Sequence, residues 1–321
     1  MRDVTIVVTG DWAPIRAFEA VVREKPEAVY GDLLPILRTA DLRIVNCECA
    51  LTTASTLVWK SGAVFKGEPC HVQGLTAAPF EVACLANNHV LDYGLDGLRE
   101  TLDVLGEGGV LTVGAGLSGD EVFAPLTLTV NGTTIHVVNF SEGEDLTASD
   151  GGPGVFGWEI DRVAETVARC RKQGGVVIAI GHCGLEYIPY PPPYVVAAFR
   201  HIADAGAHAV IGHHPHVPQG IEWYDGTPIV YSLGNFVFYQ QTGLQARKTG
   251  FAVRLAFTGH ALSSVQLHPY RIEDAGLRLL EPAEAATFRR TLAKLSSPLA
   301  TDVGVDDAWA AYLSYYGTAG F

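Results

Sequence analysis

Val82-Ala-Cys-Leu-Ala-Asn-Asn-His89 is the stretch on which the fold turns. A short apolar run stops in Asn87, Asn88 and His89, and behind it leucines recur at 95, 98, 102 and 105 before Gly106. The first part predicts a buried strand with a polar tip, and the second an amphipathic helix over Asp92 to Leu105 that ends at the glycine. The same strand-and-tip pattern recurs upstream. Thr5-Ile-Val-Val-Thr runs into Gly10-Asp11, and Leu42-Arg-Ile-Val-Asn-Cys runs into Glu48. Downstream, Val176 to Ile180 ends in Gly181-His182, and Ala209-Val-Ile-Gly ends in His213-His214-Pro215-His216. Helices are expected over Asp161 to Lys172 and Ala197 to Ala205. Hairpins are expected with turns at Asn131-Gly132 and Asp225-Gly226, the second returning through Pro228 to Phe236. Buried strands alternating with helices, interrupted by hairpins, predict α/β layers around central sheets.

No proline-, glycine- or serine-rich linker divides the chain. One domain is therefore expected over residues 1–275, with 276–321 as its peripheral helical extension. The stretches Ser141 to Gly154 and Pro189 to Pro193 read as long loops of the kind that border active sites.

The chain has 321 residues, 48% of them hydrophobic and 18% charged, which excludes a disordered or low-complexity protein. Its net charge of −13 excludes nucleic acid as the expected partner, because phosphate binding needs clustered Lys and Arg. The same balance opposes an anionic membrane surface. Met1-Arg2-Asp3 followed by the short run Val4 to Thr9 does not make a signal peptide, and no window is apolar enough for a membrane helix. The six cysteines form no C-x-x-C pair, so reduced thiols and a cytoplasmic location are expected.

The polar tips carry the chemistry. Asp11, Glu48, Asn88, His182, His214 and His216 all follow predicted strands, at the sheet edge where open α/β folds bind ligands. Carboxylates, a carboxamide and imidazoles together are a ligand set for a divalent cation, with calcium, manganese, magnesium and zinc all compatible. One or two ions are expected. In an extended segment His214-Pro215-His216 would turn both imidazoles to one side, leaving His213 facing away. Asp92, three residues after His89, fits equally a helix N-cap and an orienting partner for that imidazole. Trp12 is a candidate wall of the pocket, and Glu186 and Tyr187 are candidate substrate contacts. Arg16, Lys60 and Lys66 are candidates for holding a substrate carboxylate. Cys183, beside a ligand histidine, is a candidate acid or base if a cation lowers its pKa.

In order, Gly10-Asp11, Asn46-Cys-Glu48, Ala86-Asn-Asn-His89, Asp92-Tyr-Gly94, His182-Cys-Gly-Leu-Glu-Tyr187, Gly212-His-His-Pro-His216 and Ser232-Leu-Gly-Asn235-Phe resemble the CapA family. That group is named for poly-γ-glutamate capsule biosynthesis and is related to calcineurin-like metallophosphoesterases. The resemblance covers about residues 5 to 240. It implies a four-layer α/β/β/α sandwich of the metallophosphoesterase-like type with the metal at the sheet edge. Carried over by position, it implies Asp11, Glu48, Asn88, His182, His214 and His216 as ligands and His89 as the catalytic or ligand-orienting imidazole.

Two departures bear on the reaction. Metallophosphoesterases begin with D-x-H, whereas Ala13 stands two residues after Asp11, and N-x-E replaces the usual bridging aspartate. Cys183 stands where the family usually carries tryptophan. The expectation is a metal-dependent enzyme on a peptide or peptide-like substrate. Epimerisation of an amino-acid Cα in a precursor peptide, as in a lasso-peptide branch that the chain resembles, is preferred, with His89, Asp11 and Cys183 as proton carriers. The alternatives are hydrolysis of an amide or phosphoester and an accessory role in poly-γ-glutamate synthesis.

Overall fold

The computed structural model describes residues 3–142 and 151–318. Met1, Arg2 and residues 143–150 of the Ser141 to Gly154 stretch lie outside the described residues. Two sheets make the centre. Across the first, the order is Gly276–Leu279, Ala261–Glu273, Thr249–Thr258, Val4–Ala13, Leu42–Cys47, Val82–Cys84 and Leu111–Val113, and Asn235–Phe238 pairs with the tip of Val4–Ala13. Across the second, the order is Ile221–Tyr224, Thr227–Val230, Ala209–His213, Val176–His182, Thr133–Ser141 and Leu126–Val130.

Strand alternation explains the layers. Val4, Ile6, Val8, Ile44 and Val82 of the first sheet meet Ile135, Val137, Ile178 and Ile211 of the second in one apolar layer between them. The opposite face of the first sheet, with Val7, Val45 and Ala83, packs with Phe18, Leu75 and Leu98 from helices Ala17–Glu24, Val72–Ala77 and Gly94–Glu107. The opposite face of the second, with Val138, Val177 and Val210, packs with Val163, Val167 and Phe199 from helices Ile160–Gln173 and Pro193–Asp204. The result is the four-layer α/β/β/α sandwich that the resemblance implied. Strands with apolar layers on both sides must be apolar throughout, which is why they read as unbroken runs. The strands Val4–Ala13, Leu42–Cys47, Val82–Cys84 and Leu111–Val113 run parallel, so their polar tips collect at one edge, as do those of Val176–His182 and Ala209–His213.

Both hairpins turn where expected. Asn131 and Gly132 have φ of 50° and 80°, and Asp225 and Gly226 have 46° and 85°, the paired left-handed conformation of a tight hairpin. Beyond 275 the chain opens with a short strand and continues in helices Pro282–Ser296 and Asp302–Thr318. Gly276–Leu279 is the edge strand of the first sheet, and Phe288 and Leu292 of helix Pro282–Ser296 enter the layer between the sheets. A four-residue strand is too short to show a period. Among the described residues no helix is long and apolar enough to cross a membrane.

Candidate metal centre

The tips converge because each is bound to its neighbour through the backbone. Gly10 lets the first strand approach the Gly234 turn: a Cβ there would lie 1.9 Å from the Gly234 carbonyl oxygen. Asp11 N then donates to that oxygen at 3.2 Å, while the register slips between Thr9 and Asp11, a bulge that re-aims the acidic side chain. Glu48 N donates to Trp12 O at 2.9 Å. Asn87 Oδ1 accepts from the backbone of His89 and Val90, and its amide donates to Cys47 O at 2.9 Å. That short-range turn fixes the second tip against the third.

Around Glu48 the side chains form one compact cluster. Asn46 Nδ2 donates to Asp11 Oδ1 at 2.9 Å and lies 3.1 Å from His182 Nδ1. His182 Nε2 lies 2.9 Å from Asn88 Oδ1, 3.2 Å from His214 Nδ1 and 3.3 Å from Glu48 Oε1. His216 Nδ1 lies 3.2 Å from Asp11 Oδ2 and 2.9 Å from Asn235 Oδ1, and its Nε2 lies 3.7 Å from Glu48 Oε1. Two groups of donors therefore share Glu48: Glu48 with His214 and His216, and Asp11 with Glu48 and His182, each within 4.8 Å. The six residues expected as ligands are brought together here, with Asn88 and His214 half-buried at the mouth and the rest buried.

The electrostatics describe an anionic pocket. Burial, the Asp11 charge and the Glu186 charge push the Glu48 carboxyl well above the carboxylate range. Burial also opposes ionisation of Asp11, but the His216 hydrogen bond and the charges of His216 and His213 prevail and hold it below that range. Burial, with the other histidines, drives His182 well down and His214 to about 3. These imidazoles are neutral near pH 7, the form that coordinates cations. Both Glu48 oxygens are buried with no hydrogen-bond partner. Orphaned buried carboxylate oxygens are costly, and a cation removes the cost. The donor set fits a divalent ion.

Beside the cluster sits an imidazole–carboxylate pair. His89 Nδ1 donates to Asp92 Oδ2 at 2.7 Å, and Asp92 also accepts from Lys60 Nζ at 3.0 Å and Phe65 N at 3.0 Å. Helix Gly94–Glu107 has Tyr93, not Asp92, at its cap position. Asp92 orients His89, and Lys60 belongs to that network, donating also to Asn88 O at 2.6 Å. Phe65 stacks on the His89 ring, with centroids 3.9 Å apart.

Other expectations need correction. His214 and His216 are not in extended backbone; their φ values are 95° and 57°, and this left-handed kinking, not strand alternation, swings both rings inward. His213 does face away, 2.9 Å from Thr9 O. Trp12 is wholly buried in the helix-side core, its ring beside Gly74, so it does not wall the pocket. Cys183 follows His182 and so points to the opposite layer, among Val195, Val196 and Phe199, where burial raises its thiol pKa well above the ordinary value. Lys66 bonds to Ala54 O and lies 4.6 Å over the Tyr93 ring, and Arg16 donates to Tyr239 O at 3.0 Å, so neither joins the cluster. Tyr187 does approach, 5.8 Å ring to ring from His216, while Glu186 is exposed nearby. Asn46 was legible as a polar tip and Asn235 as part of a motif, but neither as a link between Asp11, His182 and His216. Their role needs the inter-strand register.

Residues 5–240 match the family described as bacterial capsule synthesis protein PGA_cap. The chain is 32% identical over 236 residues to the PGA biosynthesis protein CapA of Bacillus subtilis, covering 72% of this chain and 62% of that protein. It is 31% identical over 209 residues to the capsule biosynthesis protein CapA of Bacillus anthracis, covering 63% of this chain and 50% of that one. The chain thus spans less than two thirds of either relative. A hypothetical protein from Thermus thermophilus shares the fold, with a TM-score of 0.53 at 15% identity over 84% of this chain and 100% of that one.

Proposed function

The chain belongs to the bacterial capsule synthesis protein family, and from that membership we propose that it is a divalent-metal enzyme acting on an amide-linked, glutamate-containing or other peptidic substrate. The carrying observation is Glu48, shared by two donor groups with both carboxylate oxygens buried and unpartnered. Asp11, Glu48, Asn88, His182, His214 and His216 would hold the ion. A divalent ion there supplies Lewis acidity, which favours negative charge on a nearby carbonyl oxygen and acidifies the adjoining Cα–H.

Proton transfer at Cα is the reaction we assign. Asp92 holds His89 Nδ1–H, which leaves Nε2 with the lone pair. Burial lowers the His89 pKa against the pull of Asp92, so the ring is a neutral base near pH 7. His89 takes the Cα proton on one face, a solvent proton is delivered to the other face and inverts the centre, and His89 releases its proton to solvent, with no change in composition. Ala13, buried where phosphoesterases carry a ligand histidine, supports this assignment over two-metal phosphoryl chemistry. The test is reaction of the metal-loaded protein with glutamyl and mixed peptides in heavy water. One deuterium at an inverted centre supports the assignment. Solvent oxygen in a cleaved product shows hydrolysis instead, and absence of any turnover, with no metal retained, overturns the enzyme reading.

A further inference from the structure

A cavity of about 1010 Å³ lies beside the metal centre, between the turn after His216, the Gly243–Lys248 segment and helix Pro282–Ser296. Its walls are mainly apolar, with Val217, Pro218, Leu280, Phe288 and Leu292 among them. Two links tie it to the ligands. Val217 follows His216 in the chain, and Tyr187, another wall residue, has its ring 5.8 Å from that of His216. Over the Tyr187 ring lies the Arg247 guanidinium, 3.5 Å from its centroid. The Arg247 carbonyl accepts from Asn235 Nδ2 at 3.2 Å, and Asn235 in turn meets His216.

The two arginines of this cavity differ. Arg271 bonds to Gln245 and pairs with Glu284 at 3.8 Å, so its charge is met within the protein. Among the described residues no carboxylate pairs with Arg247. A cation stacked on an aromatic ring and left without an internal counter-ion, at the mouth of an apolar cavity, is suited to an external carboxylate.

We propose that this cavity is the specificity pocket of the metal centre: it takes a bulky apolar side chain of a peptidic substrate while Arg247 receives a carboxylate of the same molecule. The proposal rests on the metal-centre reading and narrows its substrate class. A run of glutamates would set several carboxylates against leucine, proline and phenylalanine walls in a protein of net charge −13, with one unmet cation to receive them. A mixed peptide with one acidic group matches the lining. Tyr187 is common to the two sites, with its ring near both His216 and Arg247, and its burial-raised phenol stays protonated.

Calorimetric titration tests this with three probes: a short peptide rich in leucine and phenylalanine carrying one carboxylate, the same peptide as its carboxamide, and γ-linked oligoglutamate of equal length. Each is titrated with and without manganese. The mixed peptide should bind wild type at least tenfold more tightly than oligoglutamate. Thr291→Trp, on the exposed cavity wall, should weaken the mixed peptide about tenfold or more, since filling the cavity removes the apolar contact. Arg247→Gln should weaken the carboxylate peptide about tenfold and leave the carboxamide unchanged. Manganese binding should be the same in both variants. Equal or tighter binding of oligoglutamate, or indifference of the mixed peptide to both substitutions, overturns the proposal. Peptide binding by a wild type that takes up none of manganese, magnesium, calcium or zinc refutes the metal reading and leaves the cavity as a peptide-binding site.

Discussion

Replacing Glu48 by Gln separates the two roles assigned to that side chain. In the metal-free protein its carboxyl is buried, unpartnered and pushed well above the carboxylate range. The folded state then keeps a proton that the unfolded chain releases above its ordinary pKa. Bound protons are more numerous in the folded state, so stability falls as pH rises through that window, by up to about 1.4 kcal/mol per pH unit. The depressed imidazoles of His182, His214, His213 and His89 act in the opposite direction below about pH 6.5, gaining stability as pH rises. They are common to both proteins and cancel in the difference. Urea denaturation of chelator-treated protein between pH 5 and 8 should therefore give a Glu48→Gln variant that equals or exceeds wild type, by a margin that grows with pH.

Metal should reverse the order. A divalent ion at a hundred times its Kd stabilises wild type by about 2.7 kcal/mol. Groups that only orient a ligand are worth 10–100-fold in affinity, so losing an anionic ligand shared by both donor groups should cost at least the upper figure. At the same ion concentration the variant then gains about 0.4 kcal/mol. Parallel pH profiles for the two metal-free proteins would refute the buried protonated carboxyl. A variant that still gains more than 2 kcal/mol from the ion would refute the ligand role.

Asp92→Asn should leave metal affinity unchanged and slow turnover by about 10²-fold or more, because His89 loses the acceptor that fixes its Nδ1–H; turnover within threefold of wild type would remove the pair from the mechanism. Cys183→Ala should keep turnover and metal affinity within about twofold and lower stability by about 1 kcal/mol, the cost of a small apolar cavity. A hundredfold loss of turnover would restore the thiol to the reaction. All six cysteines are free and only Cys70 is part-exposed, so a thiol reagent should label one site in native protein and six after denaturation without reductant.

How much of this was legible in the chain depends on the distance over which each signal acts. The strand ending in Asn87-Asn88-His89 announces itself locally, because a strand between two apolar layers must be apolar to its tip and polar side chains can stand only where the run stops. The six candidate ligand positions were read with that one rule. Orientation did not. Cys183 and Trp12 are next-door neighbours of candidate ligands, but one step along a strand reverses the face, and both enter apolar layers. Lys60 and Arg247 lie in segments without periodicity, so nothing local distinguishes a lysine that supports Asp92 from a solvated one. The 249–258 and 261–273 hairpin has a partly exposed outer strand whose mixed pattern hides its place in the first sheet.

The same locality explains why the centre is built at a price in stability. His214, His216 and Tyr187 all hold left-handed backbone, which costs a non-glycine residue of the order of 1–3 kcal/mol. Glu48 adds two orphaned oxygens. None of these features stabilises the metal-free protein, and each sits where two sheets already clamp the chain by backbone bonds such as Tyr187 N to Pro215 O at 2.7 Å and Cys183 N to His213 O at 3.0 Å. A core of three apolar layers tolerates such a cluster only if the cluster does not form part of it. Accordingly, strained backbone and unmet charge lie together at the strand tips, outside the layers, where a cation can compensate the charge and a substrate can reach the rings that the strain turns inward.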